Sequence, residues 1–164
     1  MLFYDFKFIQ TNYQNSEPKK INIYRFKTRF NRVYLVNVEF YPNEIVVLKF
    51  YLKQHNNSIN KYKIQINDFD TIRILNTILQ IGKLISLENP RISFGFIGEN
   101  SIDESSINTK RFKLYSKIAS KNFNPDNFSH FYNIQKSAYF LINKKNKSLK
   151  IEMIENQFDE YYDF

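Results

Sequence analysis

The sequence predicts an α/β fold, a mixed and mainly antiparallel sheet flanked by at least two helices, in one domain over residues 1–164. Three observations predict it. The first part of the chain is a series of alternating apolar and aromatic runs. The apolar period lengthens to that of a helix after Asp70. A short strand pattern, a second helical pattern and a hairpin pattern then follow. With 43% hydrophobic and 18% aromatic residues, the chain can bury a sizeable core, and its length suits a single domain.

The elements follow in order. Residues 2–9 read as an aromatic-rich strand, with Phe6 and Phe8 alternating with Asp5 and Lys7. Residues 11–20 are polar, include Pro18 and read as a loop. In residues 21–28, Asn22, Tyr24 and Phe26 point one way and Ile21, Ile23 and Arg25 the other. Residues 32–41 and 44–54 are rich in β-branched and aromatic side chains, joined at Tyr41-Pro42-Asn43-Glu44 as a hairpin. Residues 54–60 read as a loop, and 61–67 alternate again through Tyr62, Ile64 and Ile66.

A helix is expected from an Asp70 or Asp68 cap to about Leu87, with Ile72, Leu75, Ile78, Leu79, Leu84 and Ile85 as its apolar stripe. Glu88-Asn89-Pro90 ends it. Residues 91–99 form a short strand in which Gly95 and Gly98 mark a bulge or a close backbone approach. After a polar loop, 100–106, a second helix opens near Asn108 and breaks over 122–130. Residues 136–143 and 149–154 read as strands around a turn at 144–148, and 155–164 as an acidic, aromatic tail.

The absence of cysteine excludes disulfides, thiolate metal sites and a cysteine nucleophile. No apolar run approaches the roughly 20 residues of a membrane span, and the N-terminus lacks a signal pattern. A cytoplasmic protein is the expectation. The formal charge of +8 favours contact with DNA, RNA or another anionic surface. Its bland reading is Lys-, Asn- and Ile-rich usage of the kind AT-rich bacterial or phage genes encode.

The stretch from Asn108 through Leu114 and Tyr115 carries a more specific pattern. Asn108 and Tyr115 are two helical turns apart and would share one face. The pattern resembles the last helix of the Gcn5-related N-acetyltransferase (GNAT) family, which opens on Asn and carries Tyr seven residues later. The element order from the second strand onward is similar as well. The resemblance implies a GNAT-like fold. In an active member, acetyl-CoA would be the cofactor, Tyr115 the acid that protonates the departing thiolate and Asn108 a residue that helps position the cofactor.

The sequence departs from that family where pyrophosphate is held. The region 64–71 has no glycine and two aspartates, where the family has a glycine-bearing loop feeding a helix N-terminus. Ala119-Ser120 replaces a Gly-Phe, and Arg111 replaces a small residue. The expectation is a scaffold that has lost acetyl-CoA binding, holds no cofactor and acts through a protein partner.

A competing expectation is nucleic-acid binding. Lys110, Lys113, Lys117 and Lys121 step along one face of the second helix, with Arg111 beside them, and Lys144, Lys145 and Lys147 cluster in a turn. The bland reading of both is solvated surface. His55 and His130 lack metal spacing, and no metal site is expected. Ser105 and Ser106 have no recognisable histidine partner, and Asp103-Glu104 alone is weak for a cation. The tail aromatics would dock on the domain itself or on a partner.

Overall fold

The computed structural model describes residues 2–64 and 70–161. Ten elements build the domain: strands β1 Phe6–Tyr13, β2 Lys20–Lys27, β3 Val33–Tyr41 and β4 Ile45–Leu52, helix α1 Thr71–Glu88, strand β5 Ser93–Ile97, helix α2 Lys110–Asn122, strands β6 Phe128–Asn133 and β7 Ala138–Asn143, and helix α3 Ile151–Tyr161. The strands form one seven-stranded sheet ordered β1-β2-β3-β4-β5-β7-β6. Only β4 and β5 run parallel. The fold is therefore the mixed, mainly antiparallel α/β class that the sequence predicts, with three helices on the sheet.

Strand alternation assigns the two faces. Tyr24, Phe26, Tyr34, Val36, Leu48, Phe94 and Leu141 share one core with α1 and with Phe112 and Ala119 of α2. Tyr41, Ile45, Val47, Phe140 and Ile142 face the other way and are covered by Ile154 and Phe158 of α3. The β3–β4 turn uses Asn43 and Glu44 in the left-handed region, φ 66° and 58°, a conformation Asn tolerates better than most residues.

Several expectations change at the element level. β1 starts at Phe6 and runs through Tyr13, into the predicted loop, because Thr11 and Asn12 continue the register against Asn22 and Ile21. Residues 2–5 instead lie on α1. The Tyr4 amide donates to Thr77 Oγ1 at 2.9 Å, and Arg73 stacks 4.0 Å from the Tyr4 ring centroid.

Residues 60–64 are turn rather than strand, closed by the Lys63 and Ile64 amides on the Asn60 carbonyl. The rest of that predicted strand, and Asp68, lie outside the described residues. Asp70 occupies the N-cap of α1 without capping it. Its carboxylate instead accepts from the Tyr4 hydroxyl and pairs with Arg29 at 3.3 Å. The buried stripe of α1 runs through Ile74, Leu75, Ile78, Ile81 and Ile85, while Ile72 and Leu84 face solvent.

The last hairpin is made by β6 and β7, not by residues 136–143 and 149–154. The break after α2 is a tight turn, with the Asn127 amide on the Asn124 carbonyl at 3.0 Å, and this frees Phe128–Asn133 to pair. The predicted strand 149–154 is instead the start of α3. Ile151, Ile154 and Phe158 repeat at helical spacing, and Phe158 packs in cis on Tyr41 and Phe140. The tail thus docks on its own domain as far as Tyr161. Tyr162 and Phe164 lie outside the described residues.

Candidate functional site

β4 and β5 meet at only three registered pairs, Ile45↔Ser93, Val46↔Phe94 and Val47↔Gly95. Beyond Val47 and Gly95 they have no registered partners in one another. The chain's own side chains line the gap that opens there: Lys49 and Phe50 from β4, Tyr62 from the turn, Ile97 and Glu99 from β5 and its exit, Arg111 and Tyr115 from α2. On the α1–α2 side, two adjoining hollows share Phe50, Leu75 and Tyr115. The inner one is about 30 Å³ and lined mainly by apolar side chains. The outer one, about 190 Å³, reaches Thr71, Lys110 and Arg111.

Arg111 closes the gap across its mouth. Its Nη1 donates to the Tyr62 carbonyl and its Nη2 to the Ile64 carbonyl at 2.8 Å. Tyr115, one turn on, packs its ring 6.2 Å from that of Phe50. Burial pushes the Tyr115 hydroxyl up to about 12, with Arg111 pulling down and Glu99 adding to the rise. Tyr115 therefore stays protonated at neutral pH. Its hydroxyl has no hydrogen-bond partner among the described residues.

Asn108 is not part of the α2 helix. It is exposed and left-handed at φ 51°. Thr109 takes the N-cap, its Oγ1 accepting from the Phe112 amide at 3.1 Å. This corrects the expected opening at Asn108: Thr109 is buried, and a hydroxyl that also donates to the Gly98 carbonyl satisfies both β5 and α2. Glu104 completes the cap. Its carboxylate accepts from the Ser101 amide at 3.0 Å and the Lys110 amide at 2.8 Å. Those two bonds hold its carboxyl below the usual range. Asp103 is exposed and Ser105 and Ser106 belong to the same loop, with the Ser106 carbonyl accepting from Ser137 Oγ at 2.8 Å.

Gly98 explains how α2 sits so close to β5. A Cβ there would lie 2.3 Å from the Phe112 backbone nitrogen and 2.6 Å from its Cα. The close backbone approach read from the sequence is real at Gly98, while Gly95 makes only side-chain contacts with Val47 and Phe140.

On the opposite face of the sheet lies a buried polar group that the sequence reading missed. Glu39 pairs with Lys49 at 3.4 Å and accepts from the Tyr41 hydroxyl at 2.8 Å. Asn37 Nδ2 donates to the Tyr62 hydroxyl at 2.9 Å, and Tyr51 stands edge-on to Tyr62. Burial, with the Glu39 charge adding, pushes the Tyr62 hydroxyl well above its ordinary value. The signal was present as Asn37, Glu39 and Lys49, polar residues at same-face positions of two otherwise apolar strands. Tyr62 links the two faces: its hydroxyl serves this group and its carbonyl serves Arg111.

The basic residues divide. Lys110, Lys113, Lys117 and Lys121 are exposed along α2, whereas Arg111 is turned into the gap. Lys144, Lys145 and Lys147 are exposed in the β7–α3 turn. The Lys144 amide bonds the Asn127 carbonyl at 3.0 Å, which places this turn against the exit of α2. None of these seven lysines has a carboxylate within ion-pair distance among the described residues.

The histidines are structural or superficial. His130 Nε2 donates to the Phe123 carbonyl at 3.1 Å, which leaves Nδ1 to accept from the Tyr139 hydroxyl at 2.7 Å. The His55 ring meets Gln54 at 3.3 Å. Among the described residues no group of three His, Asp or Glu could hold a metal ion, and no helix is long and apolar enough to cross a membrane. No known protein-family model matches the chain, and comparison with curated proteins and with solved structures finds no significant match.

Proposed function

We propose that the chain is a non-catalytic binding module on a GNAT-like scaffold, acting in the cytoplasm through a protein partner. The observation that carries this reading is the Arg111 bridge to the Tyr62 and Ile64 carbonyls. In the GNAT resemblance, the strand after the penultimate helix splays from its neighbour. Here the gap between β4 and β5 is lined by Tyr62, Arg111 and Tyr115 and bridged by the Arg111 guanidinium. The order of antiparallel strands, helix, strand, helix and hairpin supports the scaffold. The loss of acetyl-CoA is supported by Arg111 standing where the family has a small residue.

Calorimetric titration with acetyl-CoA tests this directly. No saturable heat is expected at sub-millimolar protein. A micromolar dissociation constant would overturn the reading and make the chain an N-acetyltransferase with a divergent cofactor loop. Tyr115 would then be the acid, and Tyr115→Phe would cut turnover without unfolding the domain. Affinity purification from the native host, with and without nuclease, separates a protein partner from a nucleic-acid one.

One observation favours a second reading as a nucleic-acid-binding accessory protein. Lys110, Lys113, Lys117 and Lys121 project from a single helix with no carboxylate neutralising them among the described residues. Such a row suits phosphate contact without base readout.

A further inference from the structure

The sheet ends differently at its two edges. β1 carries Lys7 and a register shift at Ile9, between Phe8↔Tyr24 and Gln10↔Ile23. Charge and bulges both discourage a further strand. β6, Phe128-Ser-His-Phe-Tyr-Asn133, has no charged residue, no proline and an unbroken register against β7. Phe131 and Tyr132 are 38% and 66% exposed.

The hydrogen-bond phase of this edge follows from two facts. The Lys144 amide bonds the carbonyl of its register partner Asn127 at 3.0 Å, and the register then runs evenly from Phe128↔Asn143 to Asn133↔Ala138. Bonded pairs alternate with non-bonded pairs in an antiparallel ladder. Ser129, Phe131 and Asn133 therefore bond β7, and Phe128, His130 and Tyr132 turn their main-chain groups outward. The Phe128 amide is taken by the Asn124 carbonyl at 3.0 Å. The Phe128 carbonyl and both main-chain groups of His130 and Tyr132 have no partner among the described residues.

We propose that β6 pairs antiparallel with β6 of a second copy of this chain, about a two-fold axis through His130, so that one sheet runs across both copies. That register matches every one of these free groups except the Tyr132 carbonyl, which faces the Phe128 amide that Asn124 already takes. The two His130 residues exchange amide and carbonyl, and each Tyr132 amide meets the facing Phe128 carbonyl. It also sets the Tyr132 ring opposite Phe128 of the second copy, an aromatic cross-strand pair. Because β6 is uncharged, the axis brings no like charges together within the strand pair. This inference is independent of the proposed adaptor role.

Sedimentation equilibrium of the full chain tests it. An edge-only contact is smaller than the standard interface of about 1,600 Å², so the run uses about 100 µM chain in moderate salt. The expected mass is twice 19.9 kDa. Tyr132→Lys and Tyr132→Pro should each return the mass to 19.9 kDa with an unchanged far-UV spectrum. The amide that proline lacks points away from β7, so the β6–β7 ladder keeps its hydrogen bonds. Since the chain has no cysteine, the register can be read chemically. Ser129 and the second copy's Phe131 would form a non-bonded pair with Cα atoms about 4.5 Å apart, within disulfide range. A mixture of Ser129→Cys and Phe131→Cys chains should cross-link faster than either alone. A monomeric wild-type chain, a dimer that survives both Tyr132 variants, or no preferential cross-linking in the mixture would each overturn the proposal.

Discussion

Arg111 on α2 donates its guanidinium to the main-chain carbonyl of Tyr62, 49 residues earlier in the chain. The second donor, Nη2, reaches Ile64 at 2.8 Å. A surface turn is thereby bolted to a helix across the mouth of the β4–β5 gap. Arg111→Ala leaves two carbonyls without their charged donor and is expected to cost roughly 1.5–3 kcal/mol. Arg111→Lys should recover only part of this, because one ammonium lacks the planar fork that meets both acceptors. Urea unfolding measures both. A stability equal to wild type in the alanine variant would show that the bridge does not hold the turn.

Gly98 fixes the approach of α2 to β5. Gly98→Ala sets a methyl 2.3 Å from the Phe112 nitrogen, and backbone cannot rotate away as a side chain can. The helix must move, at a cost expected to reach about 3 kcal/mol or more. Gly95→Ala, whose nearest neighbour is the Val47 side chain at 3.3 Å, should cost markedly less. Thermal unfolding of the two variants side by side decides whether backbone contact is the reason for Gly98.

Much of this architecture is legible in the sequence where one face of an element is buried and the other is not. β2 is the clear case: Tyr24 and Phe26 are core at 4% and 2% exposure, while their neighbours are not. α1 is read correctly as a helix, although Ile72 is on the wrong side of its stripe, since an apolar residue in the first turn need not face the sheet. β6 is not legible because Ser129, His130 and Asn133 interrupt its aromatic residues on both faces, so no apolar alternation marks it. α3 was mistaken for a strand because its first residues alternate, and its helical period emerges only with Ile154 and Phe158. The gap residues were read unevenly. Arg111 and Tyr115 were noticed on their helix. Tyr62, Asn37, Glu39 and Lys49 converge only through strand pairing and a turn, which no local pattern announces.

Glu104 makes the α2 cap pH-dependent. Its folded pKa lies below the unfolded value of 4.5 because the Ser101 and Lys110 amides bond the carboxylate. A depressed acid contributes stability above its unfolded pKa and loses it as pH falls through the folded one. Glu104→Gln should therefore be less stable than wild type at pH 7, by about 1 kcal/mol, with the difference shrinking below pH 4.5. Melting temperatures across the acid range test this, and a difference independent of pH would remove the carboxylate from the account.

Tyr115 sets the opposite dependence at the alkaline end. Its hydroxyl is raised from 10.0 to about 12, mainly by burial. The folded state thus holds the proton more tightly than the unfolded chain. The associated stability is fully present below pH 10.0 and is lost as pH rises toward about 12. Tyr115→Phe cannot ionise, so it should match wild type near neutrality and become the more stable of the two in that alkaline window. Parallel stability curves from pH 9 upward would show that the phenol does not meet the low-dielectric gap.

The α2 lysines decide between solubility and nucleic-acid contact. The formal charge of +8 alone should give weak, non-specific association with short DNA or RNA at low salt. That association would vanish near physiological ionic strength and would say nothing about a built surface. A functional row at Lys110, Lys113 and Lys117 should instead retain affinity there. The triple alanine variant should lose it by a similar factor across unrelated sequences, because phosphate contacts carry no base information. The salt slope should fall with it, by about 0.9 for each duplex phosphate contact removed. All three side chains are exposed, so the variant should melt within about 0.5 kcal/mol of wild type. Loss of binding can then be separated from loss of fold. Affinity that is unchanged in the triple variant would leave this helix face to solubility and the protein-partner reading in front.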